Sequence, residues 1–525
     1  MIGKQLALAL SVAALVAVAE AAPKAIYAGW DLLAATPEEI LLNADAFATA
    51  GCDGVAVRVH YTASSGRRVD GCRFLKGPAL AWEDLAPKAP VLRKIVACEG
   101  LKASLLMVMG TPSVRLALSD DAGWATAAAN FGLFARLAKE GGMDGLLVDF
   151  EDYRPSRQFF WDPEKDGIEY PEAVRRMRAR GAAFFGAAFA AFPEMELVSF
   201  QLFANDYEYG VTERDPRRLM RQKRDLWPAF LNGMLDVLPP TARVTDGDEN
   251  AYRYEAARHA FDRAASRQFT GVLPLVAPKN QAKYRAQMRV GFGLYLDGYV
   301  VGTNNSWYLP PVRGSRAAAF DDNLRAAARA SDGYVWIYGE RDAFIPWKVL
   351  PGTELARDWA KKPMWNETIP GFSDLVAGVF RPAQLVARRQ AELAARGALV
   401  NLAAGRTVDT NGCFSAALPT PPTADVYYGV SFSCRPGAEP SAMVAWQGAS
   451  RWLWGHESYA DYVRGADGRT RGYVLARAPE GGVRLYLSIK RQDARDADPE
   501  IADVTVFRLN PDAAGGDRGN AGKKR

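Results

Sequence analysis

The chain has 525 residues, 49% of them hydrophobic and 24% charged, with 65 basic against 60 acidic side chains and a formal net charge of +5. This composition is that of a folded globular protein with more than one domain, and it excludes an intrinsically disordered or membrane-embedded chain. The basic excess is scattered rather than gathered in a block, so no nucleic-acid partner is expected.

Residues 1–21 carry Lys4, an apolar stretch from Leu6 to Ala19 and the small-residue sites Ala17-Val18-Ala19 and Ala19-Glu20-Ala21. Together these form a secretory signal, which predicts a secreted or periplasmic protein. The stretch is shorter than the roughly 20 residues that span a bilayer, and no later segment is apolar for that long, so no membrane anchor is expected. From residue 22 to about 350, short runs rich in β-branched and aromatic residues alternate with stretches of helical period, the pattern of repeated β-α units. The strand candidates are Ala25–Trp30, Gly54–Tyr61, Ala103–Gly110, Gly145–Glu151, Glu196–Ala204, Ala242–Thr245, Val290–Leu296 and Gly333–Gly339. Helices are expected over Pro37–Ala50, Pro90–Gly100, Ala122–Glu140, Pro171–Phe192 and Tyr252–Phe269. Eight strands at this spacing predict an α/β fold of the (β/α)8 TIM-barrel type. A doubly wound open sheet would often carry a Gly-x-Gly-x-x-Gly turn after its first strand, and none is present.

Beyond the barrel the texture changes. Residues 351–397 read as a linker followed by a helix at Pro382–Arg396, and residues 398–510 as an antiparallel β-sandwich, with strands at Asp425–Ser433, Ala442–Gln447, Gly472–Ala476, Val483–Ile489 and Val504–Leu509. Residues 511–525, rich in Gly, Asp and Lys, read as a disordered tail. Of the five cysteines, Cys413 and Cys434 lie in neighbouring strand-like segments where a bridge is geometrically plausible, while Cys52, Cys72 and Cys98 read as small hydrophobes or as a leftover thiol.

In a barrel of this kind the working residues stand at the carboxyl ends of the strands. Asp31 ends the first strand, His60 the second, Asp149 and Glu151 the fourth, Asp246 and Glu249 the sixth, Asp297 the seventh and Glu340 the eighth. Side chains alternate along a strand, so Asp149 and Glu151 face the axis together while Val148 and Phe150 face the helices. Repulsion and desolvation should then keep one of two such acids protonated beside an ionised neighbour. A single acid at a strand end could as well pair with an Arg or cap a helix. For two aimed at the axis, glycoside hydrolysis supplies a reason, since it needs a proton donor and a second carboxylate across the scissile bond.

The run Asp144-Gly145-Leu146-Leu147-Val148-Asp149-Phe150-Glu151 resembles the strand-four signature of family 18 chitinases, Asp-Gly-x-Asp-x-Asp-x-Glu, with Leu147 where that family has its middle Asp. The resemblance implies that Glu151 is the general acid/base and that Asp149 steers an N-acetyl group of the substrate, which acts as its own nucleophile; on the residues alone Asp149 is read as the modulator of Glu151. More of the barrel is similar to poorly characterised bacterial glycoside-hydrolase-like barrels, in Ile26–Asp31, Asp149–Tyr153, Asp246–Tyr252 and Gly333–Glu340. The partner carboxylate is open. A layout with acids on strands four and six nominates Asp246 or Glu249, and one on strands four and seven offers Asp297, with Glu340 one strand later; Glu249 is preferred, then Glu340. Glu249 would also suit the first turn of a helix starting near Tyr252.

Aromatic side chains gather near the same rim, and their flat faces suit sugar rings. Trp30, His60, Tyr153, Trp161, Asn305 and Trp307 are the expected substrate contacts, with Asp31 and Asp246, whereas Trp336 and Tyr338 read as strand residues in the core. Three separated histidines, His60, His259 and His456, give no zinc spacing, so neither metal nor cofactor is expected. The sequence therefore predicts a hydrolase of an oligo- or polysaccharide, with a non-catalytic carbohydrate-binding barrel as the alternative. Trp446, Trp452 and Trp454 in the second domain either bind glycan or brace the barrel.

Overall fold

The computed structural model describes residues 22–62, 68–70, 75, 77–110, 114–151, 157–206, 216–420, 424–492 and 497–509. The expected secretory signal and the expected tail, with Tyr153 and Cys72, lie outside them. The chain divides into two compact units, the first ending at Ser373 and the second beginning at Asp374.

The first unit is a parallel barrel. Its strands are β1 (Lys24–Gly29), β2 (Gly54–Val57), β3 (Leu105–Met109), β4 (Gly145–Asp149), β5 (Glu196–Ser199), β6 (Arg243–Asp246), β7 (Met288–Val290 and Phe292–Tyr295) and β8 (Tyr334–Gly339). The sheet comprises nine hydrogen-bonded segments because β7 is broken at Gly291: its first half pairs with β6 and its second half with β8, and β8 pairs with β1 to close the ring. All eight expected strands are present. The extended runs expected after β2, β4 and β5 stop earlier than read, because the chain there turns out into the loops above the barrel.

Helices follow the strands as the apolar period requires, among them Asp121–Glu140, Tyr170–Ala191 and Arg316–Ala330. The helix expected over Tyr252–Phe269 is instead 3-10 turns at Glu249–Arg253 and Ala256–Arg258, then a helix at Ala260–Ser266 and a π turn at Arg267–Gly271. Two constraints break it. Asp248 takes a left-handed conformation at φ 36°, and the Asn323 amide holds the Tyr254 carbonyl and the Ala256 N–H at 3.0 and 2.8 Å, which removes both from a helical ladder. The unit runs past residue 350. Trp365, fully buried, lies against Gly339, so the stretch read as the first part of a linker belongs with the barrel.

The second unit is a sandwich of two four-stranded antiparallel sheets. One contains Phe414–Pro419, Arg484–Lys490, Ser441–Gln447 and Ser458–Tyr459, and the other Asp461–Arg464, Thr470–Arg477, Tyr427–Cys434 and Ala502–Arg508. Alternate residues, including Phe414, Val430, Val444, Trp446, Leu487 and Val506, meet between the sheets. The helix Pro382–Ala395 packs Leu385, Val386 and Leu393 with Phe507 and Leu509. The expected disulfide is absent: Cys413 and Cys434 are both free thiols. Cys434 points into the core and donates to the Ala438 carbonyl at 3.1 Å, whereas Cys413 lies in the turn that Asp409 caps, before a strand of the other sheet.

Candidate active site

Leu147 on β4 belongs to the cluster on the barrel axis, with Ile26, Ala56, Met107, Val198 and Trp336. Period-two alternation therefore turns Asp149 and Glu151 to the axis at the strand's carboxyl end. Phe150 faces the other way, with ring centroids 5.4 to 6.2 Å from Trp227, Phe185, Phe230 and Phe184 of the helical layer. The Glu151 backbone N–H donates to Asp149 Oδ1 at 2.8 Å, which fixes the Asp149 carboxyl beside the backbone that carries Glu151.

The floor beneath them is aromatic. The Trp336 indole stacks on Phe200 with centroids 3.9 Å apart and planes 10° from parallel, and its Nε1 donates to the Gly247 carbonyl at 2.8 Å. Gly293 and Gly247 make room for it, since a Cβ on either would stand 2.5 or 2.7 Å from the indole. Tyr252 lies above, 5.3 Å from Trp336 and stacked on Tyr295 at 4.9 Å and Tyr338 at 6.2 Å. Trp30, 48% exposed, donates from its indole to the Tyr338 hydroxyl at 2.7 Å. Trp307 meets Tyr252 and Tyr295 edge-on.

Four carboxyls act on one another above this floor. Burial first, then repulsion from Asp149, Glu249 and Glu340, pushes the Glu151 carboxyl up to about 8. Asp149 is raised by burial to about 6, against the lowering effect of the Glu151 N–H. Glu249 and Glu340 are also raised by burial, but each is bonded by a donor that favours its ionised form: the Gln201 amide for Glu249 and the Tyr295 hydroxyl for Glu340. Glu151, held up to about 8, keeps its proton at neutral pH, while a donor on each of Glu249 and Glu340 works against the upward push of burial.

The same shifts set the pH dependence of stability. Asp149, Glu151, the buried Asp31 and the buried Asp246, the last two raised to about 6 and about 7, all bind their proton more tightly folded than unfolded. Their contribution is complete below about pH 4, where the unfolded chain is also protonated, and is lost as pH rises through 6 to 8. The melting temperature is expected to fall between pH 5 and pH 8.5, and Glu151→Gln to flatten the upper part of that fall. Calorimetry across this range checks it, and a flat or rising profile in the wild type would contradict it.

No family model matches this chain. No curated protein matches it either. Among solved structures, an O-GlcNAc hydrolase mutant from Thermobaculum terrenum is 11% identical, over 72% of each chain, with a TM-score of 0.33. Endo-glycoceramidase II from Rhodococcus sp. is 10% identical over 90% of this chain and 98% of its own, with a TM-score of 0.35, and a D-psicose 3-epimerase is 13% identical over 67% and 97%, with a TM-score of 0.32. Likenesses this distant, spread over hydrolases and an epimerase, carry no argument about chemistry.

The other expected site residues fall in three groups. Trp30 and Trp307 border the acids through Tyr338 and Tyr252. Asp31 and Asp246, expected to meet substrate, are fully or almost fully buried and spent on the chain itself. Asp31 accepts from the N–H groups of Leu32 and Phe344 and from the Trp347 indole, and Asp246 from the N–H groups of Ala204, Asp248 and Leu202. The third group is engaged locally: Trp161 donates to the Ile168 carbonyl and packs on Tyr170, Asn305 accepts from the Trp307 N–H, and His60 Nε2 lies 3.4 Å from the Leu33 carbonyl. Asp297 accepts from the Glu340 N–H at 2.8 Å and so braces the eighth-strand acid. Sequence reading missed Gln201, Tyr252 and Tyr295. Tyr295 was findable, since it shares the inward parity of Gly293 on β7; Gln201 and Tyr252 lie outside the strands, Tyr252 in the 3-10 turn Glu249–Arg253, where strand parity gives no direction.

Proposed function

We propose that the protein is a glycoside hydrolase that cleaves an oligo- or polysaccharide, with Glu151 as general acid, Asp149 as its modulator and Glu249 as the ionised partner. What carries this reading is Glu151 itself: an axis-facing carboxyl raised to about 8 by burial and by three acids around it, over a floor of aromatic rings. The Glu151 proton passes to the leaving glycosidic oxygen as the C1–O bond breaks, and water adds at C1, giving up a proton to a carboxylate. Glu249 is preferred because its repulsion on Glu151 exceeds that of Glu340 and because the Gln201 amide supports its charge. Trp30, Tyr338 and Trp307 offer flat faces to sugar rings. The apolar run Leu6–Ala19 supports export of the enzyme, which sequencing of the mature amino terminus tests.

Two observations favour Glu340: it extends β8, across the ring from β4, and it accepts from Tyr295. The pH–rate profile separates the two. Gln201→Leu removes the donor to Glu249 and Tyr295→Phe the donor to Glu340, and whichever acid must be ionised will have its acid limb moved upward. We expect Gln201→Leu to move it by about one pH unit, the scale of one lost hydrogen bond to a charged group, and Tyr295→Phe to leave it in place. The function as a whole is tested by release of reducing ends from a panel of neutral, amino and acidic polysaccharides. Binding without cleavage by the wild type would favour the non-catalytic reading.

A further inference from the structure

We infer that the second unit carries its own binding surface for a neutral polysaccharide, on the outer face of the sheet containing Ser441–Gln447. The argument begins with the alternation of Trp452-Leu453-Trp454. After the tight turn in which the Gly448 N–H donates to Arg451, Trp452 bridges back to Gln447 and the Leu453 N–H donates to the Trp446 carbonyl at 2.9 Å, so this stretch continues the sheet. Leu453 packs against the sandwich core, and alternation turns the two tryptophans to the opposite, outer face. There they stack with ring centroids 5.7 Å apart and planes 27° from parallel, 37% and 70% exposed. Tyr486 meets Trp452 edge-on at 5.5 Å, and its hydroxyl is bonded to Ser415 Oγ at 2.8 Å.

The ground around these rings tells the occupant's chemistry. The strand registers place Tyr486 between Ala417 and Ala445, and Ser488 between Ser415 and Met443, with Tyr459 next to Met443. These two rows are uncharged, with small residues that leave the rings standing clear, and the cations of this face, Arg484 and Lys490, stand in the rows at either end, Arg484 in line with Gln447 and Trp452. The large exposed apolar side chains of this unit, among the described residues, are Trp452, Trp454, Tyr459, Val400 and Val463, so rings outnumber aliphatic groups on its surface. Flat rings interleaved with hydroxyls match the apolar faces and equatorial hydroxyls of a neutral sugar chain. Trp446, by contrast, is buried between the sheets and serves packing alone.

The inference is independent of hydrolysis, and its test uses the full chain carrying Glu151→Gln, so that cleavage plays no part. Retention is measured on insoluble cellulose, chitin and starch, and by affinity electrophoresis in gels containing soluble xylan, mannan or β-glucan. One of these neutral polymers is expected to retain the protein, Trp454→Ala to weaken retention at least about tenfold, and Trp454→Phe, which keeps a flat ring, to restore part of it. Circular dichroism confirms that each variant is folded. Retention by none of the polymers, or equal retention of Trp454→Ala, overturns the inference. So does a change from dimer to monomer in light scattering with retention unaltered, which would make a second copy of the chain the occupant. If retention depends on Trp454 while the unmodified chain cleaves nothing, the hydrolase reading falls and this one stands.

Discussion

Glu151→Gln is expected to reduce kcat by about two to four orders of magnitude, the usual worth of a positioned general acid, with little change in KM. The substitution keeps the shape of the side chain and the Glu151 N–H that Asp149 accepts, so the loss isolates the proton. The pH profile adds a second signature. The group is pushed up to about 8, so the wild-type rate should hold through neutrality and fall on the alkaline side as Glu151 ionises. In the Gln variant that alkaline limb should vanish, and substrates with a very good leaving group, which need no protonation, should recover much of the rate. Steady-state kinetics with aryl glycosides of graded leaving-group acidity read all three effects. A variant with unchanged turnover would remove Glu151 from the chemistry.

Trp336→Ala is expected to cost about 3–5 kcal/mol of stability, the range for truncating a large buried aromatic side chain. Trp336 is fully buried on the barrel axis, stacked on Phe200, and bonds the Gly247 carbonyl. Truncation leaves a cavity flanked by two glycines that have no side chains to fill it, and strands the Gly247 carbonyl. Trp336→Phe keeps the stacking and should cost markedly less. Chemical denaturation of the three proteins gives the comparison. Activity should fall along with stability, because Tyr252 and Tyr338 both rest against this indole and would lose the surface that orients them. A truncation costing under about 1 kcal/mol would mean that the axis repacks freely, contrary to close packing of the interior.

The barrel was legible because its strands are apolar runs whose inward and outward residues differ in size and polarity, and Asp149-Phe150-Glu151 is the sharpest case, with acids on one side and a ring on the other. Parity failed where the chain leaves the strand. Asp31 comes two residues after β1, yet it lies in the first turn of the short helix Trp30–Ala34 and turns into the wall, where Phe344 and Trp347, more than 300 residues later, complete its bonding. Glu249 was read as the start of a helix near Tyr252. A left-handed Asp248 and a remote Asn323 convert that start into a 3-10 turn, and neither partner can be seen from local propensity. Gln201 stayed hidden for the same reason: its role depends on contact with Glu249 across a loop. The expected Cys413–Cys434 bridge failed because neighbouring positions in the sequence pattern belong to different sheets.

The wall that holds Asp31 also says something about how the protein is made. Three polar side chains of the first β-α unit complete their bonding in residues 344–353: Asp31 at Phe344 and Trp347, Asn43 at both the N–H and the carbonyl of Lys348, and Glu39 at the Leu350 N–H and the Thr353 hydroxyl. Until that stretch has been synthesised, these buried groups lack bonds worth about 1–3 kcal/mol each. The beginning of the barrel must therefore wait for its end. A nascent chain stalled before Thr353 should be held in a loose, protease-sensitive state, and any shortened version of the barrel must extend past that residue to fold.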